Sequence, residues 1–312
     1  MKVAIRDAYG EALVKLGERN EKVVVFEADV GSSSKSILFG RRYPQRYFNF
    51  GIAEFGMATA AAGMASEGFI PFINTFSTFM STRCLDTINN IICHDHLNIK
   101  LCGAYSGISD SYDGATHHCS FDLAVMRAMT NMMVLSPCDA LETEECVNAA
   151  AEHEGPVYLR LSRAALPVIT ESGDPFRLGK ARLLADGKDV AIMATGSTVC
   201  RALEAAEILK KSGCSARVVD IHTIQPIDSE MIRDCAESCK ALLSVEEHGV
   251  TGGLGTAVSE ILTENGYPVR LKKMGLPEQT VSGGYEQLMT RYHLDGKSIA
   301  EEALNMLEQS DC

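Results

Sequence analysis

The chain has 312 residues, enough for two ordinary domains that each bury a core, and its 46% hydrophobic and 22% charged content is that of a soluble globular protein. A formal charge of −12 and the lack of any Lys/Arg-rich run exclude nucleic acid or an anionic membrane surface as the main partner. The opening Met1-Lys2-Val3-Ala4-Ile5-Arg6-Asp7 places charges where a secretory signal needs an apolar core, and no apolar run reaches membrane-spanning length.

A cytoplasmic protein is therefore expected. Its eleven cysteines form an odd, scattered set without a C-x-x-C pair, which predicts reduced, mostly core thiols rather than a disulfide framework or a zinc knot.

In chain order, Val23-Val24-Val25-Phe26 predicts a strand buried on both faces, followed by a loop, Glu27 to Ser34, whose backbone and hydroxyls suit either a polar ligand or helix capping. Helices are predicted over 54–67 and 79–92, then a strand at Lys100-Leu101-Cys102, a helix over 120–129 and a strand at Met132-Met133-Val134-Leu135. Asp139 caps a helix over 139–152, and Gly155-Pro156 leads into the strand Val157-Tyr158-Leu159-Arg160-Leu161.

This alternation is a doubly wound α/β unit, assigned to residues 1–165. Residues 166–188, with Pro167, Gly173, Pro175, Gly179 and Gly187, read as a linker. A second α/β alternation fills 189–312, with strands at 190–193, 216–219 and 241–245 and helices over 197–211, 228–239, 255–264 and 298–308.

Ligands of parallel sheets collect at the carboxyl ends of the strands, so the loops there carry the candidate chemistry. Phe48-Asn49-Phe50-Gly51-Ile52-Ala53-Glu54 places a carboxylate at the start of an apolar, small-residue helix, where it must be paired, exposed or functional. A glutamate serving only the helix dipole is the plainer alternative.

The loop from Tyr105 to His118 concentrates hydroxyls, Asp113 and two histidines, a set suited to polyol chemistry. His94-Asp95-His96 lies at a helix end and reads as a solvated cap. His222 and His248 also follow strands, but no other acid or histidine cluster supports them as ligands, so no metal site is assigned. Gly252-Gly253-Leu254-Gly255 fails the G-x-G-x-x-G pattern at Val258 and reads as helix entry and close packing.

Together, Asn49-Phe50-Gly51-Ile52-Ala53-Glu54-Phe55-Gly56-Met57, Gly68-Phe69-Ile70-Pro71-Phe72 with Asn74-Thr75-Phe76, Asp113-Gly114-Ala115-Thr116-His117, Leu161-Ser162-Arg163 and Val245-Glu246-Glu247-His248-Gly249 resemble transketolase and 1-deoxyxylulose-5-phosphate synthase. The order and spacing match over essentially the whole chain. The resemblance implies a pyrimidine-binding domain followed by the family's C-terminal domain, with thiamine diphosphate as cofactor.

It further implies that Glu54 bonds N1′ of the aminopyrimidine and promotes its imino tautomer. Phe76 and Phe79 stack on that ring, with Thr82 standing where the family has a third aromatic. Asp29 completes the cofactor-facing set. His117 lies near the donor's reacting hydroxyls and Asp113 reads the sugar's stereochemistry. Arg6, Ser33 and Arg163 hold the distal phosphate, a task that suits a guanidinium fork. Tyr105 replaces a histidine of the same phosphate cluster, which changes the distal group the site accepts.

The family's Gly-Asp-Gly segment for Mg²⁺ and diphosphate has no counterpart here; Gly173-Asp174-Pro175 lacks the third glycine. An N-terminal partner subunit is therefore expected to supply it, in a heterotetramer with two copies of each chain acting on sugars or sugar phosphates. A deoxyxylulose phosphate synthase fragment, a 2-oxo acid dehydrogenase β subunit and a non-catalytic relative are the rival readings. Glu54 together with Asp113 and His117 speaks for sugar chemistry over the last two.

Overall fold

β-Branched and apolar runs too short for helices become the inner strands, because both faces of a parallel sheet must be covered. The computed structural model describes residues 2–171, 173 and 176–308, so Asp174 and Pro175 of the Gly173-Asp174-Pro175 segment lie outside the described residues.

The strands are β1 (Lys2–Ala4), β2 (Val23–Glu27), β3 (Tyr47–Asn49), β4 (Ile70–Phe76), β5 (Lys100–Ala104), β6 (Met133–Leu135) and β7 (Val157–Leu161). They continue as β8 (Ala165–Pro167), β9 (Arg182–Ala185), β10 (Val190–Ala194), β11 (Ala216–Asp220), β12 (Thr223–Gln225), β13 (Ala241–Gly249) and β14 (Arg270–Leu276). A seven-stranded sheet runs β12-β6-β7-β5-β4-β2-β3 and is parallel except at β12. A five-stranded sheet runs β14-β13-β10-β11-β9 and is parallel except at β9. β1 and β8 form a small antiparallel pair.

The architecture is thus two α/β sheets of mostly parallel strands, as the sequence predicts. The strand period of two divides the side chains between cores. Val24, Phe26, Ile73, Leu101 and Tyr158 enter one cluster, whereas Val23, Val25, Phe72, Cys102, Val157 and Leu159 enter another. The first of these clusters also contains Met193, Val219 and Leu242 from the second sheet, so the two halves share one apolar core. Each buried aliphatic or aromatic side chain there contributes roughly 1.5–3 kcal/mol. β12 strengthens the union by adding a strand from the C-terminal half to the first sheet.

The predicted helix over 79–92 is broken. Residues Ser77–Arg83 form one helix, Leu85–Thr87 a single turn, and Ile88–Cys93 a π-helical segment. The Ser81 and Thr82 hydroxyls donate back to the Ser77 and Thr78 carbonyls at 2.7 Å each, a bonding pattern that bends helices. Asp139 caps the helix Ala140–Glu152 by accepting from Glu142 N–H. The ten described cysteines are all free, and all but Cys214 are buried. Among the described residues, no helix is long and apolar enough to cross a membrane.

Candidate active site

The parallel order of the first sheet brings the loops after β2, β3, β4, β5 and β7 to one edge, and the candidate residues collect there. Glu54 opens the helix Glu54–Ser66 and is buried, with 5% of its surface exposed. Its Oε1 accepts from Arg83, whose guanidinium lies 3.8 Å from the centre of the Phe79 ring. Among the described residues, Oε2 receives no protein donor, so it remains available to a ligand.

Phe76 and Phe79 stand with ring centres 5.8 Å apart, and the His117 ring meets both edge-on at 6.0 and 5.6 Å. A carboxylate with one open oxygen, an aromatic shelf and an imidazole therefore converge. Arg83 was not legible as a site residue. It lies four residues after Phe79 on one helix face, which is the signal that would have found it. Thr82 is exposed and turned to the helix backbone, so it does not extend the shelf.

Asp29 is exposed and adopts a left-handed backbone, φ 61°. It accepts from Asn49 Nδ2 at 3.0 Å, and Asn49 Oδ1 in turn accepts from Gly51 N–H, which fixes the turn entering the Glu54 helix. Beneath this loop Glu27 is fully buried, accepts from Ser36, Ser34 and Val30 N–H, and is pushed up to about 7 by burial.

The residues matched to phosphate binding also meet. Arg6 donates to the Tyr105 hydroxyl at 2.5 Å and to the Ser33 carbonyl at 3.3 Å. Arg163 lies 5.1 Å from the centre of the Tyr105 ring, and that ring stacks on Phe76 at 4.6 Å. Ser33 enters through its backbone oxygen. Tyr105 is thus held between two guanidiniums. Arg163 also donates to Asp110 at 2.9 Å, a buried acid that sequence reasoning passed over. Burial and the neighbouring Asp113 push Asp110 up to about 6. Asp113 is exposed on the same loop and His117 half-buried, its Nδ1 3.0 Å from Thr116 Oγ1.

Other histidines take the places their sequence context suggests. His94 is exposed and pairs with Asp95 at 2.8 Å. His222 is buried against Phe176 and pushed down to about 3, so it stays neutral. Gly253 is required by packing, since a Cβ there would fall 1.9 Å from Glu246 Oε2.

Cys138, Glu142 and Asp220 offer ligand atoms within 4.8 Å of one another, but Arg182 already donates to Glu142 Oε1 and the Cys138 N–H to Oε2. The cationic partner of this trio is Arg182, and neither Asp220 carboxylate oxygen has a hydrogen-bond partner among the described residues. Burial, then the Glu142 charge, raises Asp220 well above the carboxylate range. The folded state therefore binds a proton that the unfolded state has released.

Stability from this group is complete below the unfolded value near 3.9 and is lost as pH rises towards the folded one, by up to about 1.4 kcal/mol per pH unit. Asp220→Asn, neutral at every pH, should match native stability below about pH 4 and exceed it increasingly towards pH 8. Denaturant unfolding of both proteins across that range checks this; parallel curves would show that Asp220 does not titrate with folding.

Comparison with known proteins gives the family. The model of the transketolase pyrimidine-binding domain matches residues 1–168, and that of the transketolase C-terminal domain residues 179–299. The chain is 39% identical to a putative transketolase C-terminal section of Methanocaldococcus jannaschii, over 98% of this chain and 96% of that one. It is 35% identical to one of the subunits of an apulose-4-phosphate transketolase of Phocaeicola vulgatus, over 98% of both. It is also 35% identical to the 6-deoxy-6-sulfo-D-fructose transketolase subunit SqwH of Clostridium sp. strain MSTE9, over 98% and 95%. A solved split-gene transketolase, described as an inactive beta4 tetramer, superposes with a TM-score of 0.90 at 39% identity over 99% of both chains.

Proposed function

The chain belongs to the transketolase family, and on that premise we propose that it is the C-terminal subunit of a two-component transketolase. This enzyme moves a two-carbon ketol unit from an anionic ketose to an aldose with thiamine diphosphate. The observation that carries the reading is the buried Glu54 carboxylate, with one oxygen open beside the Phe76 and Phe79 shelf and His117 across from it.

That arrangement fits an aminopyrimidine, which needs a flat apolar face and an acid at a ring nitrogen. Glu54, Phe76, Phe79 and Asp29 would hold it. When bound, the cofactor supplies an electron sink for the transferred carbons. With the cofactor bound, Glu54 would exchange a proton with the pyrimidine ring nitrogen through Oε2. His117 moves protons at the donor's hydroxyls and Asp113 accepts hydrogen bonds from them. Arg6, Arg163 and Ser33 bind the anionic end.

Relatives of the same length are named as subunits, which supports an N-terminal partner that brings Mg²⁺ and the diphosphate site. Around Glu54, Phe50, Ile52 and Phe55 expose 37%, 77% and 54% of their surfaces, an apolar collar suited to another chain. A heterotetramer with two copies of each subunit, in the reducing cytoplasm that the free cysteines suit, completes the proposal.

The donor follows from Tyr105. Its hydroxyl occupies Arg6 and its ring occupies Arg163, so a distal group meets a bulkier, less charged site than an imidazole would leave. The relatives named for apulose 4-phosphate and 6-deoxy-6-sulfo-D-fructose support a donor of unusual distal chemistry. A ketose bearing a sulfonate, or a branched sugar phosphate, is the proposed class.

The test is steady-state transfer by the two-subunit complex with xylulose 5-phosphate, such donors, and pyruvate as the synthase control. Tyr105→His should improve the relative kcat/KM for xylulose 5-phosphate by about tenfold, the worth of one charge-assisted hydrogen bond. A native preference for xylulose 5-phosphate that the substitution leaves unchanged would make Tyr105 neutral and the protein an ordinary transketolase subunit.

A further inference from the structure

The loop from Tyr105 to Cys119 is long, carries three residues of the proposed donor site, and is not supported by the first sheet alone. Its base closes where Cys119 N–H donates to the Gly107 carbonyl at 2.8 Å. Immediately beyond, the Ile108 N–H points into the C-terminal half and donates to Glu247 Oε1 at 2.7 Å.

Glu247 is 1% exposed, and its other oxygen accepts from Ser197 and from the Tyr285 hydroxyl. Its own carbonyl accepts from Arg160 at 2.8 Å, and Arg160 is anchored on the buried Asp122. The residue is thus fixed from three sides, twice at its carboxylate and once at its carbonyl, before it meets the loop.

Gly107 makes the approach possible. It sits at φ +60°, and a Cβ there would fall 2.4 Å from Glu247 Oε1 and 2.6 Å from the Glu247 carbonyl oxygen. The loop is shaped around this one acid. Two lighter contacts from the C-terminal half hold its far end: Gly283 N–H donates to the Ser111 carbonyl at 3.0 Å, and His118 Nδ1 lies 2.8 Å from Thr280 Oγ1.

We propose that Glu247 is a positioning residue of the C-terminal domain, which sets the 105–119 loop so that Tyr105, Asp113 and His117 face the donor. The C-terminal domain thereby acts in substrate recognition without touching the substrate. The assignment rests on the reading of those three residues as donor-facing. It is physically reasonable because a bond to a buried backbone N–H fixes register, and small displacements of positioning groups cost large factors in rate.

Glu247→Asp withdraws the carboxylate by one methylene while keeping its charge, Glu247→Ala removes it, and Glu247→Gln keeps an acceptor for Ile108. Hydrogen exchange of the full chain, followed by mass spectrometry, should show exchange across 105–119 faster by about tenfold or more in the Asp and Ala variants, native in Gln, and unchanged in β10. In the two-subunit complex, donor kcat/KM should fall about tenfold in the Asp variant and recover in Gln.

Native exchange over 105–119 in the Asp variant, or acceleration shared equally with β10, would overturn the assignment. So would a loosened loop with native donor kcat/KM. If the Ala variant does not fold, the Asp and Gln pair decides. If the native complex transfers no ketol unit, the function reading fails while the exchange pattern still decides whether Glu247 sets the loop.

Discussion

Glu54→Gln in the assembled enzyme should lower turnover by about two orders of magnitude or more, the usual contribution of a positioned proton-transfer group. The substitution preserves shape. A glutamine still offers Arg83 a carbonyl oxygen in place of Oε1, and Arg83 is 45% exposed, so its charge stays hydrated when its partner becomes neutral. The loss of an ion pair half open to water costs little, on the order of 1 kcal/mol or less. Folding and subunit assembly should therefore be close to native.

What disappears is the proton that Oε2 can exchange with a pyrimidine nitrogen, because an amide neither gives nor takes one near neutrality. Two measurements separate this from a packing effect. Thermal unfolding should shift little, and exchange of the C2 proton of bound thiamine diphosphate for deuterium should slow along with turnover. Native-rate exchange in the variant would remove Glu54 from its assigned role, however low the turnover.

The fold was readable where burial dictates composition. Val23 to Phe26 and Val157 to Leu161 have both faces covered, so their apolar runs announce strands. β14 carries Arg270, Lys272 and Lys273 on a sheet edge, where solvent tolerates charge, and no apolar run marks it. β1, β8 and β12 are three residues each and exist only because a distant segment pairs with them.

The site divides the same way. Glu54, Phe76, Phe79, Asp113 and His117 sit in contiguous motifs, and their neighbours gave them meaning. Arg83 and Asp110 act through partners 29 and 53 positions away, and Glu247 through one 139 positions away. No local pattern encodes the Asp110 and Glu247 pairs, because the chain must fold before the groups meet, and for Arg83 only the spacing to Phe79 is local.

The chain by itself should bind thiamine diphosphate weakly and turn over no ketose–aldose pair, and addition of the N-terminal subunit should restore both. The physical reason is the division of the cofactor between two surfaces. Glu54 and the phenylalanines offer an acid and apolar faces, which suit the pyrimidine end. A diphosphate and its Mg²⁺ need several oxygen ligands in near-octahedral array together with anion donors.

Among the described residues, the one compact set of metal-ligating side chains is Cys138, Glu142 and Asp220, and it is buried and occupied by Arg182. The solved relative of similar fold is described as a split-gene transketolase in the form of an inactive beta4 tetramer. Phe48, Phe50, Ile52 and Phe55, exposed beside Glu54, should become protected when the partner binds.

Titration of the partner against a fixed amount of this chain, with Mg²⁺ and cofactor present, should raise activity to a plateau at one partner per chain. Light scattering of the plateau mixture should give two copies of each subunit. Robust turnover by this chain alone would overturn the two-component reading. A plateau at another ratio would keep the activity but replace the heterotetramer.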